Sequence, residues 1–509
     1  MLGLLLLPTS ALASAAELTQ AGEGTLGDTV PIDTMWVVIA AVLVLFMQAG
    51  FMFLEVGFVR AKNAGTIVAK ILTNLSIAAI CYWAVGFAFA FGSGDVFGDN
   101  STLASLIGSN GFFLQVAGTG GVDDLAGNSG IPVMAVSAAS IDAKFLFQFA
   151  FCAVSLAIVW GSTLERIKYG AYVIYAIVFS AIIYPIGSHW VFGGGWLQNG
   201  DTPLLPTGMQ DFAGSTAVHL IGATGALAAL LLLGPRKGKY GSDGKPRVIP
   251  GHSMPLVGLG VLILFFGWFG FNAGSTLGTG DGRLADVAVI TMLGAAGGVL
   301  GAFLVSQLRL KTIDIGMVGN GMIAGLVAIT APSGYVETWA APIIGFVGGV
   351  VVVFGVILID KKVDDPIGAL SAHGLAGIWG TIACGFFTAP RLAEYNAFGN
   401  PEGGLLYGGG PDQLIAQVVG VLIAFSFVFI LSYGTFFLIK KTIGLRVTEE
   451  EEDAGLDIVE HGMYGYPEQF IPLPEIGASS TGPAAPHAGA QAPVAHQGRG
   501  DAVPGGVTA

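Results

Sequence analysis

The chain has 509 residues, of which 53% are hydrophobic and only 11% are charged, and its formal net charge is −13. An ordinary soluble domain contains about 25% charged residues. A single water-soluble core cannot hide this much apolar surface, so the composition excludes an ordinary soluble domain and favours a protein partly covered by a lipid bilayer. Because no basic patch is interleaved with aromatic residues, nucleic-acid binding is not predicted.

Part of the acidic excess lies in the run from Glu449 to Asp453. We interpret this run as a solvated face, with an acidic partner-binding surface as the alternative. The three cysteines, Cys81, Cys152 and Cys384, lie far apart and lack metal-ligand spacing. The sequence therefore predicts neither a metal site nor a cofactor.

Residues 1–15 contain a short apolar run followed by small residues in an Ala-x-Ala pattern, which is typical of a signal peptide. From residue 33 onwards, long apolar segments recur, each near the roughly 20 residues that a membrane-spanning helix needs. Eleven such helices are predicted, at 35–59, 70–92, 144–162, 170–187, 212–234, 255–273, 285–308, 315–331, 339–360, 369–388 and 413–439.

The positive charges are unevenly distributed between alternate loops. With the N-terminus outside, the loops assigned to the cytoplasm carry most of the Lys and Arg residues, from Arg60 and Lys62 to Lys440 and Lys441. The loops assigned to the outside hold only Lys144, Arg283 and Arg391. This is the positive-inside bias, and it predicts an all-α integral membrane protein with its N-terminus out and its C-terminus in.

Three segments outside the predicted helices differ in composition. The loop 93–142 is long and rich in Gly and Ser, so it is predicted to lie outside the cell. Residues 441–478 are predicted to form a cytoplasmic regulatory tail, whose aromatic part docks on the protein or on a partner. Residues 479–509 are rich in Pro, Ala and Gly and are predicted to be disordered.

Two segments of the chain share an internal pattern. Asp211 and Asp365 each stand eight residues before a histidine, His219 or His373, and in each segment a glycine stands five residues before that histidine. The segments open the fifth and tenth predicted helices, so the two halves run in opposite senses through the membrane. Two inverted five-helix repeats followed by an eleventh helix are predicted, an arrangement that places a transporter's site at the midplane.

Helix geometry suggests where the two histidines lie. Eight residues of helix rise roughly 12 Å, which brings His219 and His373 towards each other in a core about 30 Å thick. The pair is predicted to line one path. The alternatives are two separate buried histidines, or a metal site that lacks a third ligand. Asp211 and Asp365 are interpreted as helix caps, with Asp211 also adding negative field outside a cation site.

Five blocks of the sequence, in order, resemble the Amt/MEP branch of the ammonium transporter family. The resemblance runs from about Asp33 to His461 and implies a transporter membrane domain over residues 33–440. The blocks are LERIKYGAY, YPIGSHWVFGGGWL, DFAGSTAVH, GWFGFNAGS and VDDPIGALSAHGLAGIWG.

The resemblance implies a homotrimer with one pore per subunit. It assigns Phe151 to the outer gate and Phe271 to the second gate ring, and it places Trp268 in the pore lining. His219 and His373 match the family's twin-histidine pore. A signal-transducing protein of the PII class is the implied partner at the cytoplasmic face, and the predicted location is the cytoplasmic membrane of a bacterium.

The resemblance also implies an outer site that recruits ammonium, formed by Phe151, Phe192 and Ser275. The position of Phe192 is commonly tryptophan in the family, and Trp is the stronger cation–π partner, so weaker recruitment is predicted. The tail HGMYGYPEQF departs from the family's usual ending, so regulation through the tail does not follow from the resemblance.

The predicted function is transport of ammonium, which is deprotonated outside and crosses the apolar lumen as ammonia, with proton co-transfer through the histidine pair. A bare charge in such a lumen is costly. Three alternatives stay open: a sensor with little flux that signals through its tail, an intramembrane enzyme for which Ser275 has no evident base, and a channel for another neutral solute. The sequence predicts no enzyme.

Overall fold

The computed structural model describes residues 26–93, 101–116, 130–200, 202–280 and 282–470. The predicted signal peptide (1–15), the predicted disordered end (479–509) and the last part of the predicted tail lie outside these residues. Within them the protein is helical and forms no β-strand, only two isolated bridges, Ile167–Arg446 and Tyr240–Pro246.

Ten helices in the described part of the chain are long and apolar enough to cross a membrane, and α8 is a shorter apolar helix. Each coincides with one of the eleven predicted segments. In chain order they are α1 (Thr29–Phe58), α2 (Ala61–Phe91), α3 (Ile141–Ser162), α4 (Tyr169–Asn199), α5 (Ser215–Leu233), α6 (Met254–Ala273), α7 (Arg283–Arg309), α8 (Ile315–Thr330), α9 (Ala340–Ile359), α10 (Leu370–Phe387) and α11 (Asp412–Thr442). Three short helices follow, α12 (Glu449–Ala454), α13 (Leu456–His461) and α14 (Pro467–Phe470).

Large apolar side chains cover the outside of the bundle. Leu72, Leu262, Leu300 and Ile430 are each more than half exposed, although they belong to four different helices. Exposing this apolar surface to water would be unfavourable, whereas contact with lipid tails carries no such free-energy cost. The exposed face and the length of the helices together identify a multi-pass membrane protein.

Glycines allow α7, α8 and α9 to pack backbone against backbone. A Cβ atom added at Gly298 of α7 would collide with the backbone of Gly321 and Gly325 in α8. One added at Gly345 or Gly349 of α9 would collide with backbone atoms of α7. Small residues at such positions are the usual basis of close helix packing in membranes.

Three of the long helices contain π-helical turns at the positions that matter for the site. These turns span Ser215–Leu220 in α5, Phe269–Ala273 in α6 and Leu370–Leu375 in α10. The sequence analysis assumed regular α-helix from each aspartate to its histidine. The helices instead begin at Ser215 and Leu370, after the aspartates, so the rise of roughly 12 Å does not apply.

A buried ion-pair network joins three of the connections between helices. Arg236 donates hydrogen bonds to Asp364 (Nη2–Oδ1 2.9 Å) and to Glu165 (Nη1–Oε2 3.0 Å). Burial by itself raises the pKa of Asp364, but the hydrogen bonds from Arg236 and the charge of Arg166 lower it to about 2. The network ties the segments after α3, α5 and α9 together on one face of the bundle.

The segment after α11 packs against that same face. The buried carboxylate of Asp457 accepts hydrogen bonds from the backbone N–H groups of Gly65 (2.9 Å) and Thr66 (2.8 Å), near the start of α2. Glu460 accepts one from the N–H of Tyr169 (3.1 Å), where α4 begins. Carboxylates at these positions satisfy free N–H groups and complement the helix dipoles.

Candidate functional site

The first half of the candidate site is a stack of phenylalanine rings. Phe151 of α3 and Phe271 of α6 lie nearly parallel, with ring centroids 4.1 Å apart and an interplanar angle of 9°. Phe192 of α4 lies 6.5 Å from Phe151, on centroids, and is half-buried, whereas the two stacked rings are buried. The sequence predicted all three, and the structure brings them together.

The second half of the site continues from the phenylalanines to the two histidines. The His219 ring lies 5.3 Å from Phe271 and 5.2 Å from the His373 ring, on centroids. The Nδ1 atoms of the two histidines are 3.2 Å apart, within hydrogen-bonding distance. The pair therefore forms the next two rings of one continuous buried column.

Trp268 closes one side of His219. The indole ring stacks on the imidazole with centroids 5.1 Å apart and an angle of 16°. Its Nε1–H donates a hydrogen bond to Oγ1 of Thr330 (2.9 Å), the last residue of α8. The indole therefore holds the plane of the His219 ring, while its polar atom points away to another helix.

Aspartate and glycine set the start of α5. The Asp211 carboxylate accepts hydrogen bonds from four successive backbone N–H groups, those of Gly214, Ser215, Thr216 and Ala217, at 2.8–2.9 Å. Asp211 is buried below the helix start and is not part of the ring column. Burial raises the pKa of Asp211 to about 6, although the four hydrogen bonds favour the carboxylate.

The second copy of the repeat has the same construction. Asp365 accepts a hydrogen bond from the N–H of Leu370 (2.7 Å) at the start of α10. The glycines of the two copies, Gly214 and Gly368, have φ values of +116° and +75°. Other residues rarely adopt this conformation, so glycine is required where the chain turns into each histidine-bearing helix.

Ser275 lies just after the end of α6 and is half-buried. Its Oγ donates a hydrogen bond to the backbone carbonyl of Phe271 (2.9 Å), which fixes the hydroxyl beside the stacked rings. Because the hydroxyl proton is used in this way, the oxygen lone pairs are directed towards other donors. The arrangement suits acceptance of an N–H from a small cation.

Two further phenylalanines belong to the column and were not predicted. Phe51 of α1 lies 6.4 Å from His373, and Phe147 lies 4.6 Å from Phe151, on ring centroids. Phe147 is also the ring that a Cβ atom at Gly274 would strike, so this glycine makes room for it. Among 33 phenylalanines, nothing in the local sequence distinguishes these two.

The chemistry available in the column is limited. The described residues contain no group of three or more His, Cys, Asp or Glu side chains that could hold a metal ion. The histidines instead contact aromatic rings and each other. An apolar, ring-lined passage with two imidazoles in sequence can exchange protons and offer hydrogen bonds, but it has no fixed anion to hold a bare cation.

The fold and the column define an α-helical membrane protein of the transporter class. The sequence matches the family model described as Ammonium Transporter Family over residues 35–466. The chain therefore belongs to the ammonium transporter family, which confirms the family predicted from the sequence motifs.

Individual relatives agree with this assignment. The chain is 41% identical to ammonium transporter Amt2 of Archaeoglobus fulgidus, over 86% of this chain and 88% of that protein. It is 36% identical to ammonium transporter 3 of Dictyostelium discoideum, over 86% and 94% of the two chains.

Two solved structures resemble the fold. A sensor Amt protein superimposes with a TM-score of 0.73 at 33% identity, covering 86% of this chain and 99% of the other. Mep2 of Candida albicans superimposes with a TM-score of 0.71 at 27% identity, covering 85% and 90%. The relatives in both comparisons are transporters or a sensor of this family rather than enzymes.

Proposed function

We propose that this protein carries ammonium across a membrane by releasing its proton outside and conducting ammonia along the ring column. The observation that supports this most directly is the unbroken series of ring contacts from Phe151 through Phe271 and His219 to His373. Such a series places a hydrophobic gate directly before two groups that can exchange protons.

The gate accounts for selectivity. Rings stacked at 4.1 Å leave no gap between Phe151 and Phe271, so a solute passes only when they move apart. A bare ion entering this buried apolar passage would lose its hydration at a cost of several kcal/mol or more. Ammonium avoids that cost by giving up a proton, which sodium and potassium cannot do.

The geometry of the histidine pair explains how it would assist. A hydrogen bond between two Nδ1 atoms requires that one ring carries its proton on Nδ1 and the other on Nε2. The remaining nitrogens are then one acceptor and one donor. His219 Nε2 has no hydrogen-bond partner among the residues described, so it is available to a solute. The two tautomers exchange when the free Nε2 of one ring accepts a proton, the shared proton moves from Nδ1 to Nδ1, and the Nε2–H of the other ring releases its proton. One proton has then crossed the pair, which supports proton co-transfer.

Recruitment would occur at the outer end of the column. Phe192 and Phe151 offer aromatic faces to a cation, and Ser275 offers an acceptor oxygen beside the gate. These are the three residues that the family resemblance assigns to this role. With Phe in place of Trp at position 192, capture of ammonium is expected to be weaker.

The proposal includes the arrangement in the membrane. The eleven helices α1–α11 would all cross the bilayer, with the N-terminus outside and the ion-pair network at the inner face. At 16 residues, α8 would be the shortest of them, and it lies beside α7 and α9 with little space between. A homotrimer and a PII-class regulator at the inner face are part of the same proposal.

The test is the current across a supported membrane on adding ammonium to proteoliposomes of the purified protein. The wild type should give a saturable current that potassium does not evoke, and a His219→Ala, His373→Ala double variant should lack it. A wild type that binds ammonium yet passes neither current nor ammonia, the latter followed by stopped-flow internal pH, would contradict transport.

A second candidate function is an ammonium sensor with little flux. One specific observation favours it: a structure named as a sensor Amt protein covers 86% of this chain at 33% identity. The tail that caps α2 and α4 would be the transmitting element. The same measurements separate the two functions, because a sensor would bind ammonium and change its tail's protection from proteolysis without substantial flux.

A further inference from the structure

An acidic and a basic side chain lie buried together near the histidine end of the column. Glu55 of α1 and Lys70 of α2 are both fully buried. Neither carboxylate oxygen of Glu55 has a hydrogen-bond partner in the described part of the chain, and neither does Nζ of Lys70, which instead lies over the Trp160 ring, 3.8 Å from its centroid. Burying an ionisable group in a membrane without a hydrogen-bond partner is energetically costly, which points to a functional role.

Helix register connects Glu55 to the column. Phe51, the ring that contacts His373, and Glu55 are four residues apart on α1 and therefore lie one above the other on the same face. The step between them is about 6 Å, directed towards the end of α1 and the ion-pair network. Glu55 thus lies about one helical turn beyond Phe51, towards the ion-pair network.

A glycine of α3 keeps space for the Glu55 carboxyl. A Cβ atom at Gly161 would lie 3.1 Å from Oε1 of Glu55 and would collide with Ile367, in the connection before α10. The carboxyl therefore sits where α1, α3 and that connection meet. These are elements that also carry Phe51, Phe151 and, a few residues on, His373.

The charged and titratable groups around the pair come from two other elements, α4 and the docked tail. Lys70 of α2 and Tyr172 of α4 interact electrostatically with Glu55. On its other side, Lys70 interacts with two carboxylates of the docked tail, Asp457 and Glu460. The remaining group, His461, also faces Lys70. Lys70 is therefore placed to offset a negative charge on Glu55 whenever that charge forms.

We propose that Glu55 is an inner proton-exchange group that returns a proton to ammonia after it leaves His373. The inference rests on the proposed transport function. In the step, the nitrogen lone pair of ammonia takes the carboxyl proton, so an N–H bond forms while the O–H bond breaks, giving ammonium and the Glu55 carboxylate. The carboxylate then regains its proton from a hydronium ion at the inner face, which leaves water.

The test compares Glu55→Gln, which preserves shape but cannot exchange protons, with Glu55→Asp, which can. Proteoliposomes are loaded with buffers between about pH 5 and 8, and the initial ammonium-evoked rate is measured for each. The wild-type rate should vary with internal pH. Glu55→Gln should lose that dependence and transport about a hundredfold more slowly, whereas Glu55→Asp should keep it. Glu460→Gln, which alters the charge facing Lys70 from the tail, is the matched control and should keep it too.

A readout independent of transport is the infrared carboxyl C=O stretch of the protein in membranes as pH is varied. One titrating band should disappear in Glu55→Gln. If Glu55→Gln does not fold, the double variant Glu55→Gln, Lys70→Met removes both charges at once and is measured instead.

An unchanged rate and pH dependence in whichever variant folds would overturn the proposal and leave the transport function standing, since the pair would then be structural. A wild type without flux would overturn the transport function itself. In that case, if the infrared titration shows no carboxyl band that Glu55→Gln lacks, the assignment of Glu55 as a proton-exchange group is overturned as well.

Discussion

His219 and His373 meet Nδ1 to Nδ1 at 3.2 Å, although 154 residues separate them in the chain. Each enters the column from a helix that opens with a π-helical turn behind a glycine of positive φ. Because each ring is positioned by the helix of its own repeated segment, the contact between them depends on how α5 and α10 pack together.

Replacing His219 with Gln tests the proton role of this contact. A glutamine side chain can still donate and accept hydrogen bonds, but it cannot pass a proton between two ring nitrogens. The ammonium-evoked current should fall by about a hundredfold or more, while ammonia entry measured by stopped-flow internal pH continues. If the current survives at wild-type level, proton co-transfer does not use the pair.

Removing a gate ring should relax selectivity. In Phe271→Ala the stack with Phe151 is lost, and water and hydrated ions reach His219. We expect a potassium-evoked current that the wild type lacks, measured on the same supported membrane. The exposed Phe303 of α7 offers a control, since Phe303→Ala should leave potassium excluded.

Phe192→Trp should strengthen ammonium capture. The gain from a better cation–π partner at a half-exposed position is about 0.5 kcal/mol, or roughly twofold in the ammonium concentration that gives half-maximal current. The maximal current should change little, because the gate and the histidines are untouched. A half-saturating concentration that stays the same or rises would argue against Phe192 as a recruitment residue.

Acid should weaken the buried ion-pair network around Arg236. The pKa of Asp364 is held at about 2 by Arg236 and Arg166, below its value in the unfolded chain of about 4. The resulting stabilisation, about 2.5 kcal/mol, is present above pH 4 and is lost as the pH falls from about 4 to 2.

Asp364→Asn should therefore lower the melting temperature at neutral pH and flatten its decline in that acid window. Asp243→Asn, in an exposed turn, is the control and should show the wild-type decline. Thermal unfolding in detergent, followed by tryptophan fluorescence, measures both variants.

Asp457→Ala should release the tail from the start of α2. Three backbone N–H groups, those of Gly65, Thr66 and Gly465, would lose their acceptor, at a cost of about 2–3 kcal/mol. Hydrogen exchange should accelerate at these amides and limited proteolysis should cut after Arg446 more readily. Glu468→Ala, further along the tail, should leave both readouts unchanged.

The helices could be predicted because each is a long apolar segment bounded by polar or glycine-rich residues. All eleven predicted segments coincide with helices, although α8 is shorter than a typical membrane span. The column residues Phe151, Phe271, His219 and His373 were identified from their motifs, and the structure brings them into contact. Their roles in transport remain proposals.

Other features were not readable from the chain. Phe51, Phe147 and Thr330 contact the column or its indole through tertiary packing, and their local sequence resembles that of ordinary core residues. The buried state of Glu55 was also missed, because one acidic residue near the end of an apolar helix looks like an interfacial one. A sequence pattern shows which face of a helix is apolar. It does not show which residues of other helices pack against that face, and these contacts depend on that packing.

The π-helical turns have a consequence for how the site tolerates changes in chain length. A π turn holds one residue more than the α turn it replaces, and each residue of an α-helix turns the chain by about 100°. Deleting one residue between Ser215 and Leu220 would restore regular α-helix, and either His219 or the aspartate-capped start would then rotate away from its partners. The number of residues in the turn thus sets the direction in which the imidazole points, so deletion of a single codon would inactivate the column although the chain still contains both histidines.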